Sequence, residues 1–273
     1  MTTRRLGCGL IVAVTCLTGI ASLFFWRANT PQARSTKTPA ARERALLALK
    51  SHQLEWERRA REKEERARQQ VERETAVKRF PGLAGFEAKG VFFHYENGCP
   101  VFVSFADVVP LPNDDDIDGL GEFNTLQTIV LERAPISGRG FASLQSLPVT
   151  AIGLTDTVVD DIGLAEIVRI SQLEKLYLGH TLVTDQGIKL LTSLTRLREL
   201  YLTGTSIGNA SVAYLQQIKS LESVNLMGTS IDSSGIAALH ALPKLKNLML
   251  SKRMEKERDA HEAALPGCKI SYW

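Results

Sequence analysis

Apolar residues recur in two alternating spacings along the C-terminal part of the chain. The first is Leu-x-x-Leu-x-Leu: Leu173, Leu176 and Leu178, then Leu197, Leu200 and Leu202, then Leu221, Val224 and Leu226, then Leu245, Leu248 and Leu250. Weaker copies stand at Leu126, Ile129 and Leu131 and at Val149, Ile152 and Leu154. Between them the spacing changes to three, as in Ile188, Leu191 and Leu194, or Val212, Leu215 and Ile218, or Ile236, Leu239 and Leu242. The first pattern predicts a short strand and the second a helix that buries one stripe. Successive strong copies start 24 residues apart, at Leu173, Leu197, Leu221 and Leu245. A fixed period of this length means a stack of strand-plus-helix units, none able to bury its apolar side alone. The predicted architecture is α/β, with parallel strands on an inner face and helices outside.

Both ends of the stack need closure. Residues 91–105, VFFHYENGCPVFVSF, read as a hairpin turning at Asn97-Gly98, a favourable two-residue turn. At the other end the pattern dissolves over 251–273 into a polar helix at about 254–264 and a last strand after Pro266-Gly267. A polar closing unit is what an open stack requires for solubility. Asp160/Asp161, Thr184/Asp185 and Asp232/Ser233 stand where the helices begin and read as N-cap residues. Threonine repeats at 157, 181, 205 and 229, a hydroxyl ladder placed to serve the turn after each strand. Glycine repeats at 140, 163, 187 and 235, with Ser211 in its place once.

These columns match the leucine-rich repeat pattern. The variant GTxITDxGL, present as GHTLVTDQGI and GTSIDSSGI, is similar to the short-helix type of ribonuclease-inhibitor-like repeats. The layout also resembles bacterial membrane-anchored leucine-rich repeat proteins of mostly unassigned role. The points of resemblance are an N-terminal anchor, a charged helix, a VxFxY hairpin, the phrase SFADV and the C-terminal ALPGCKISYW. The resemblance implies a leucine-rich repeat solenoid over residues 80–273 and a binding or scaffolding role, with no partner named.

Upstream the chain changes character twice. Residues 6–26 carry no charge. As a helix rising ~1.5 Å per residue they would measure about 31 Å, enough for a bilayer core of ~30 Å. Phe24, Phe25 and Trp26 close the run as an interfacial belt would. A cleaved signal peptide is the competing reading. No small-x-small site follows, and no lipobox precedes Cys16, so an uncleaved single-pass anchor in the cell membrane is expected. Arg4 and Arg5, in the tail 1–5, favour a cytoplasmic N-terminus, whereas Arg27, Arg34 and Lys37 weigh the other way. The reading places the C-terminal domain outside the cytoplasm. Residues 27–39 read as a linker, and 40–79, free of Pro and Gly, as a charged helix. Glu55 with Arg59, Glu57 with Arg61, Glu62 with Arg66, Glu64 with Arg68 and Glu74 with Lys78 have the i,i+4 spacing of stabilising pairs. Leu47 and Leu54, or Leu49 and Trp56, would start a coiled-coil seam joining two copies, but that seam then meets Arg61, Lys63, Arg68 and Gln70. A solvated rod is the alternative.

Charge is divided accordingly. Residues 27–79 hold 15 Lys and Arg against 8 Asp and Glu, a net of +7, while 80–273 hold 16 against 22, a net of −6. An acidic folded part argues against nucleic acid as its partner. Cys99 and Cys268 fall at opposite ends of the array, too far apart for a disulfide. The run Asp114-Asp115-Asp116-Ile117-Asp118-Gly119 resembles the start of a calcium loop, but Thr125 stands where a bidentate Glu belongs. In repeat register these aspartates are helix-entry residues, and no metal or cofactor is expected. The five histidines are scattered, and no hydrolase, zinc or phosphate-loop motif is present, so no catalytic residue is assigned and no enzyme is expected.

The candidate site is the inner strand face. Side chains between the buried strand leucines point to solvent, and Lys175, Tyr177, His180, Glu199, Tyr201, Asn225 and Met249 form the candidate partner-binding patch. Tyr177 and Tyr201 share a column one strand apart, ~4.8 Å, and read as a stacked pair. Tyr and Met are enriched in interface cores; against that, aromatic residues suit exposed strands in any case. The function expected is a membrane-anchored scaffold that binds an unidentified protein through this face. The alternative is an envelope spacer that self-associates through 40–79.

Overall fold

The computed structural model describes residues 39–106 and 108–273. The expected tail, the anchor at 6–26 and residues 27–38 of the linker lie outside the described residues. Among the described residues no helix is long and apolar enough to cross a membrane. The chain divides into two units, residues 1–66 and 67–273.

Helix α1, Pro39–Arg79, starts on a proline and ends on Lys78 and Arg79. Proline suits a first turn, where its missing N–H has no partner to lose, and cations suit the C-terminal dipole. Of the expected pairs, Glu55 meets Arg59 at 2.8 Å. Arg58 takes Glu62, and Arg68 turns forward to Glu72 rather than back to Glu64. Leu47 and Leu54, the start of the expected seam, are 60% and 63% exposed in the single chain.

From Ala67 onward α1 belongs to the second unit. Arg73 forks onto Glu87 of α2 (Leu83–Ala88), at 2.8 and 2.6 Å, and Tyr95 Oη donates to the same carboxylate at 2.7 Å. Burial pushes the Glu87 carboxyl upward, but these donors outweigh it and hold it below its ordinary value. Below this network Phe80, Phe86, Phe93 and Phe123 pack edge to face, with Phe86 and Phe93 each 5.6 Å from Phe123 between ring centres. Edge-to-face contact sets positive ring edges on negative faces. It seals the N-terminal end of the core. The short α2 was not expected from the sequence, where Pro81-Gly82 reads only as a stop.

The sheet has nine strands in chain order. β1 (Phe92–Glu96) and β2 (Cys99–Ser104) form the expected hairpin, with Asn97 and Gly98 both at positive φ as their turn type demands. All later neighbours are parallel: β3 (Thr128–Val130), β4 (Ala151–Gly153), β5 (Lys175–Tyr177), β6 (Glu199–Tyr201), β7 (Ser223–Asn225), β8 (Asn247–Leu250) and β9 (Lys269–Tyr272). One register runs through them. Ile152, Leu176, Leu200, Val224 and Leu248 stand side by side and fully buried.

The helical halves are short: α3 (Asp114–Asp118), α4 (Asp161–Ile167), α5 (Asp185–Leu190), α6 (Asn209–Leu215), α7 (Ser233–Ala238) and α8 (Arg258–Ala264). Several run on into a turn of 3-10 helix, as at Leu191–Ser193 and Leu239–Ala241. This follows from the apolar spacing of three, which matches three residues per turn. The unit between β3 and β4 has only a 3-10 helix, Arg139–Leu144. The expected C-terminal helix is likewise split into a 3-10 turn, Lys252–Glu257, and α8. Arg253 donates to the Thr229 carbonyl at 2.7 Å and Met254 is buried, so this stretch follows the preceding unit's turn.

Two polar ladders run along the stack, one made of bonds within each unit and one of bonds between units. Each threonine of the 157, 181, 205 and 229 column is buried and donates to the carbonyl of the last strand leucine three residues back, at 2.7 to 2.8 Å. Asp160, Thr184 and Asp232 are true N-caps. The residues after the caps have a different task from the one expected: they bridge to the next unit. Asp161 accepts from Thr184 N and Oγ1, Asp185 from Gly208 N, and Asn209 from Asp232 N, while Ser233 Oγ meets His261 Nε2 of the C-terminal cap. Asp114 opens the series, accepting from Ser137 N and Oγ and from the N–H groups of Gly138 and Gly140. Asp116 closes a capping box on Asn113 and takes Lys89 at 2.6 Å. Within the calcium-like run, Asp114 is therefore a bridge and Asp116 part of a capping box. Among the described residues no cluster of three or more His, Cys, Asp or Glu is placed to hold a metal.

The repeated glycine lies against this ladder. A Cβ on Gly163 would fall 1.7 Å from the Ser137 carbonyl oxygen, which is backbone and has no rotamer to escape to. Gly163→Ala should therefore cost about 1–3 kcal/mol through overpacking. That lowers the melting temperature by about 2–4 °C per kcal/mol for a domain of this size. Gly85→Ala, on α2 with nothing within 4 Å of the new atom, should leave it unchanged or raise it. Circular-dichroism melts of the two variants check the pair.

Burial alone would raise the Asp114 carboxyl. The Ser137 hydroxyl and the Gly140, Ser137 and Gly138 N–H groups outweigh burial and hold it below the ordinary aspartate value. A carboxyl depressed in the fold stabilises above its unfolded pKa and loses that contribution as pH falls through the folded one. Asp114→Asn should thus be less stable than the parent near neutral pH, and the gap should close as the solution is acidified. Urea unfolding across a pH series measures it; a gap independent of pH would contradict this assignment.

Candidate functional site

In each three-residue strand the middle side chain enters the core and the outer two lie on the opposite face of the sheet, as the period of two requires; on β7 both outer residues, Ser223 and Asn225, are nonetheless buried. The solvent face is therefore two columns wide. One column runs Ala151, Lys175, Glu199, Ser223, and the other Gly153, Tyr177, Tyr201, Asn225. Met249 follows Asn225 on β8.

Four of the expected residues form one linked cluster on β5 and β6. Lys175 Nζ lies 2.8 Å from Glu199 Oε1, and Tyr177 Oη donates to Glu199 Oε2 at 3.0 Å. Burial, then this bond to a carboxylate, pushes the Tyr177 phenol up to about 12, so it stays protonated and keeps donating. The Tyr177 and Tyr201 rings are 4.9 Å apart and inclined at 89°. They stand edge to face, not stacked as the shared column led one to expect. Two parallel rings one strand apart would oppose like-charged faces, and rotation of one ring removes that repulsion.

Asn225 and Met249 lie on the next strands and make a second group. Asn225 Nδ2 approaches Met249 Sδ at 3.5 Å, and its Oδ1 accepts from Met227 N at 3.0 Å. Asn225 is only 7% exposed, so its amide serves the turn more than the surface. His180 is apart from both groups. It occupies the turn after β5 at φ 55, in the column where Gly204 and Gly228 also take positive φ. Its side chain is exposed and its ring lies over Gly204, where an added Cβ would come 2.4 Å from Nδ1.

The residues that sequence reasoning missed lie on β3 and β4. Gly153 has no side chain and Ala151 a single methyl, directly beside Tyr177 and Lys175. The columns are empty there, and a hollow of about 320 Å³ opens. Ala151 and Gly153 line it together with Val130 and Thr128 of β3, Thr155 and Glu132 from the following turns, and the Tyr177 and Tyr201 rings. Aligning Gly153 and Ala151 under Tyr177 and Lys175 by the repeat period would have revealed the gap. Only the leucine columns, however, make a pattern that catches the eye.

No protein-family model matches the sequence. No curated protein matches it either. Solved structures match parts of the chain. An internalin from Listeria monocytogenes is 19% identical, with a TM-score of 0.44, over 57% of this chain and 50% of that one. TLR13 in its complex with ssRNA13 is 16% identical, with a TM-score of 0.40, over 56% of this chain and 26% of that one. A leucine-rich repeat protein from Leptospira interrogans is 17% identical, with a TM-score of 0.39, over 56% of this chain and 50% of that one. The matched region spans half or less of each of these chains. The strand motif repeated every 24 residues, the parallel sheet in one register and the short α- or 3-10 helix returning each strand to the next are, on the chain's own geometry, those of the leucine-rich repeat fold.

Proposed function

We propose that this chain is a single-pass membrane protein, anchored through residues 6–26, that holds a protein partner against the solvent face of its sheet. One observation carries the reading: the Lys175–Glu199–Tyr177 cluster holds the Tyr177 ring edge to face with Tyr201 beside a hollow on the sheet. Side chains ordered before binding lose little entropy on contact, and aromatic anchors beside a cavity are where binding energy concentrates. The uncharged run at 6–26 supports the tether. The role is binding, without catalysis, and the domain acts outside the cytoplasm.

The test uses the full chain in its membrane. A photo-crosslinking residue at Asn247, on the solvent face of β8, should capture a distinct protein, and the same residue at Lys189, on α5, should not. Tyr177→Ala with Tyr201→Ala should weaken capture at Asn247 at least about tenfold, the scale of two aromatic hot spots. Capture that ignores both tyrosines, or yields only copies of this chain that vanish on deleting residues 40–79, would replace this reading with the self-associating spacer.

A further inference from the structure

The hollow beside Tyr177 has a chemistry of its own. Its floor is small and aliphatic, formed by Ala151, Gly153 and Val130. Its one ionisable carboxylate is Glu132, which is exposed and has neither ion pair nor hydrogen bond among the described residues. Glu199 nearby is different, since Lys175 and the Tyr177 hydroxyl already occupy it. No lysine or arginine lines the hollow, and Arg133, next to Glu132, lies outside the lining. We propose that this hollow receives a lysine or arginine side chain of the protein partner, its methylenes on Ala151 and Gly153 and its cation between Glu132 and the Tyr177 and Tyr201 rings.

The proposal rests on the solvent face being the binding face and adds what that face selects. A cation gains from the ring quadrupole and from the unpaired carboxylate together. The Tyr177 hydroxyl, by donating to Glu199, leaves its ring richer in electrons and holds it in place. An acidic side chain would meet Glu132 as a like charge. A purely aliphatic one would strip water from Glu132 and return nothing. The net charge of −6 over residues 80–273 favours approach of a basic partner.

A random-peptide display library selected against the full chain in detergent micelles tests this. Enriched peptides should share a Lys or Arg. Replacing that residue by norleucine, which removes the cation–aromatic contact and the ion pair together, should weaken binding about tenfold, and Glu132→Gln, which removes only an exposed ion pair, about twofold to fivefold. Gly153→Val, whose side chain would fill the hollow, and Tyr177→Leu should abolish binding, while Asp259→Asn on α8 should change nothing. Gly153→Val also stands in should the tyrosine variant fail to fold, because a Cβ there makes only ordinary contacts, 3.6 Å from Val130. Peptides that need Tyr177 and the open hollow but carry no cation, or that ignore Glu132→Gln, overturn this proposal and leave the binding face standing. Selections in which every peptide ignores both the hollow and Tyr177 overturn the two together.

Discussion

Every parallel strand in this domain gives its backbone hydrogen bonds to a neighbouring unit, in a single register, and the rest of the structure follows from that. Leu154 N reaches Tyr177 O, Leu178 N reaches Tyr201 O, Leu202 N reaches Asn225 O and Leu226 N reaches Met249 O. A slip of one residue at any of these joints would turn a whole strand's core residues to solvent. Register is thus held by burial and by hydrogen bonding at once, and identical positions in successive units are forced into contact. Columns become physical objects: a hydrophobic spine through Leu176, Leu200 and Val224, a row of threonine hydroxyls, a chain of acids bridging helix starts. The ends complete the constraint. A phenylalanine cluster closes one, and a buried His261 between Ser233 and Tyr272 carries the helix-start chain into the other.

How much of this a reader can see in the sequence depends on whether a feature repeats. The strands, their order, the Asn97-Gly98 hairpin, the threonine role and the N-caps at Asp160, Thr184 and Asp232 are all legible, because each is a local rule or a column. The second task of Asp161 and Asp185 is not. Their partners sit 23 residues away and come close only once the stack has formed. Ring orientation is similarly hidden: the shared column brings Tyr177 and Tyr201 together, but quadrupole repulsion, which no spacing encodes, sets them perpendicular. The α2 helix is missed because Pro81-Gly82 is a real stop for α1 and conceals the new start two residues later.

The glycine column shows why legible and hidden features are linked. Gly163 and Gly187 repeat because the helix start of each unit presses on the bridge from the unit before it, at Ser137 O and Asp161 Oδ1. The pattern is visible in the sequence; its cause is the ladder, which is not. Ser211, the one exception, is fully buried and spends its hydroxyl on Gly208 O at 2.7 Å. It satisfies locally a polar atom that burial would otherwise penalise.

A strictly periodic stack presents the same surface at every level and has no reason to bind at one place. A unique site requires the period to break. Between the capping strands β2 and β9 it breaks at β3 and β4: these strands start at Thr128 and Ala151, 23 residues apart instead of 24, and the helical half shrinks to a 3-10 segment. There too the solvent columns lose their bulk, with Ala151 and Gly153 followed abruptly by Lys175 and Tyr177. The step from empty to filled positions makes the hollow, and the core column beneath it, Ile129, Ile152 and Leu176, continues undisturbed. The fold tolerates the irregularity because the spine carries register and the solvent face does not. That division of labour is what leaves this face free to acquire a recognition site without loss of the architecture that holds it.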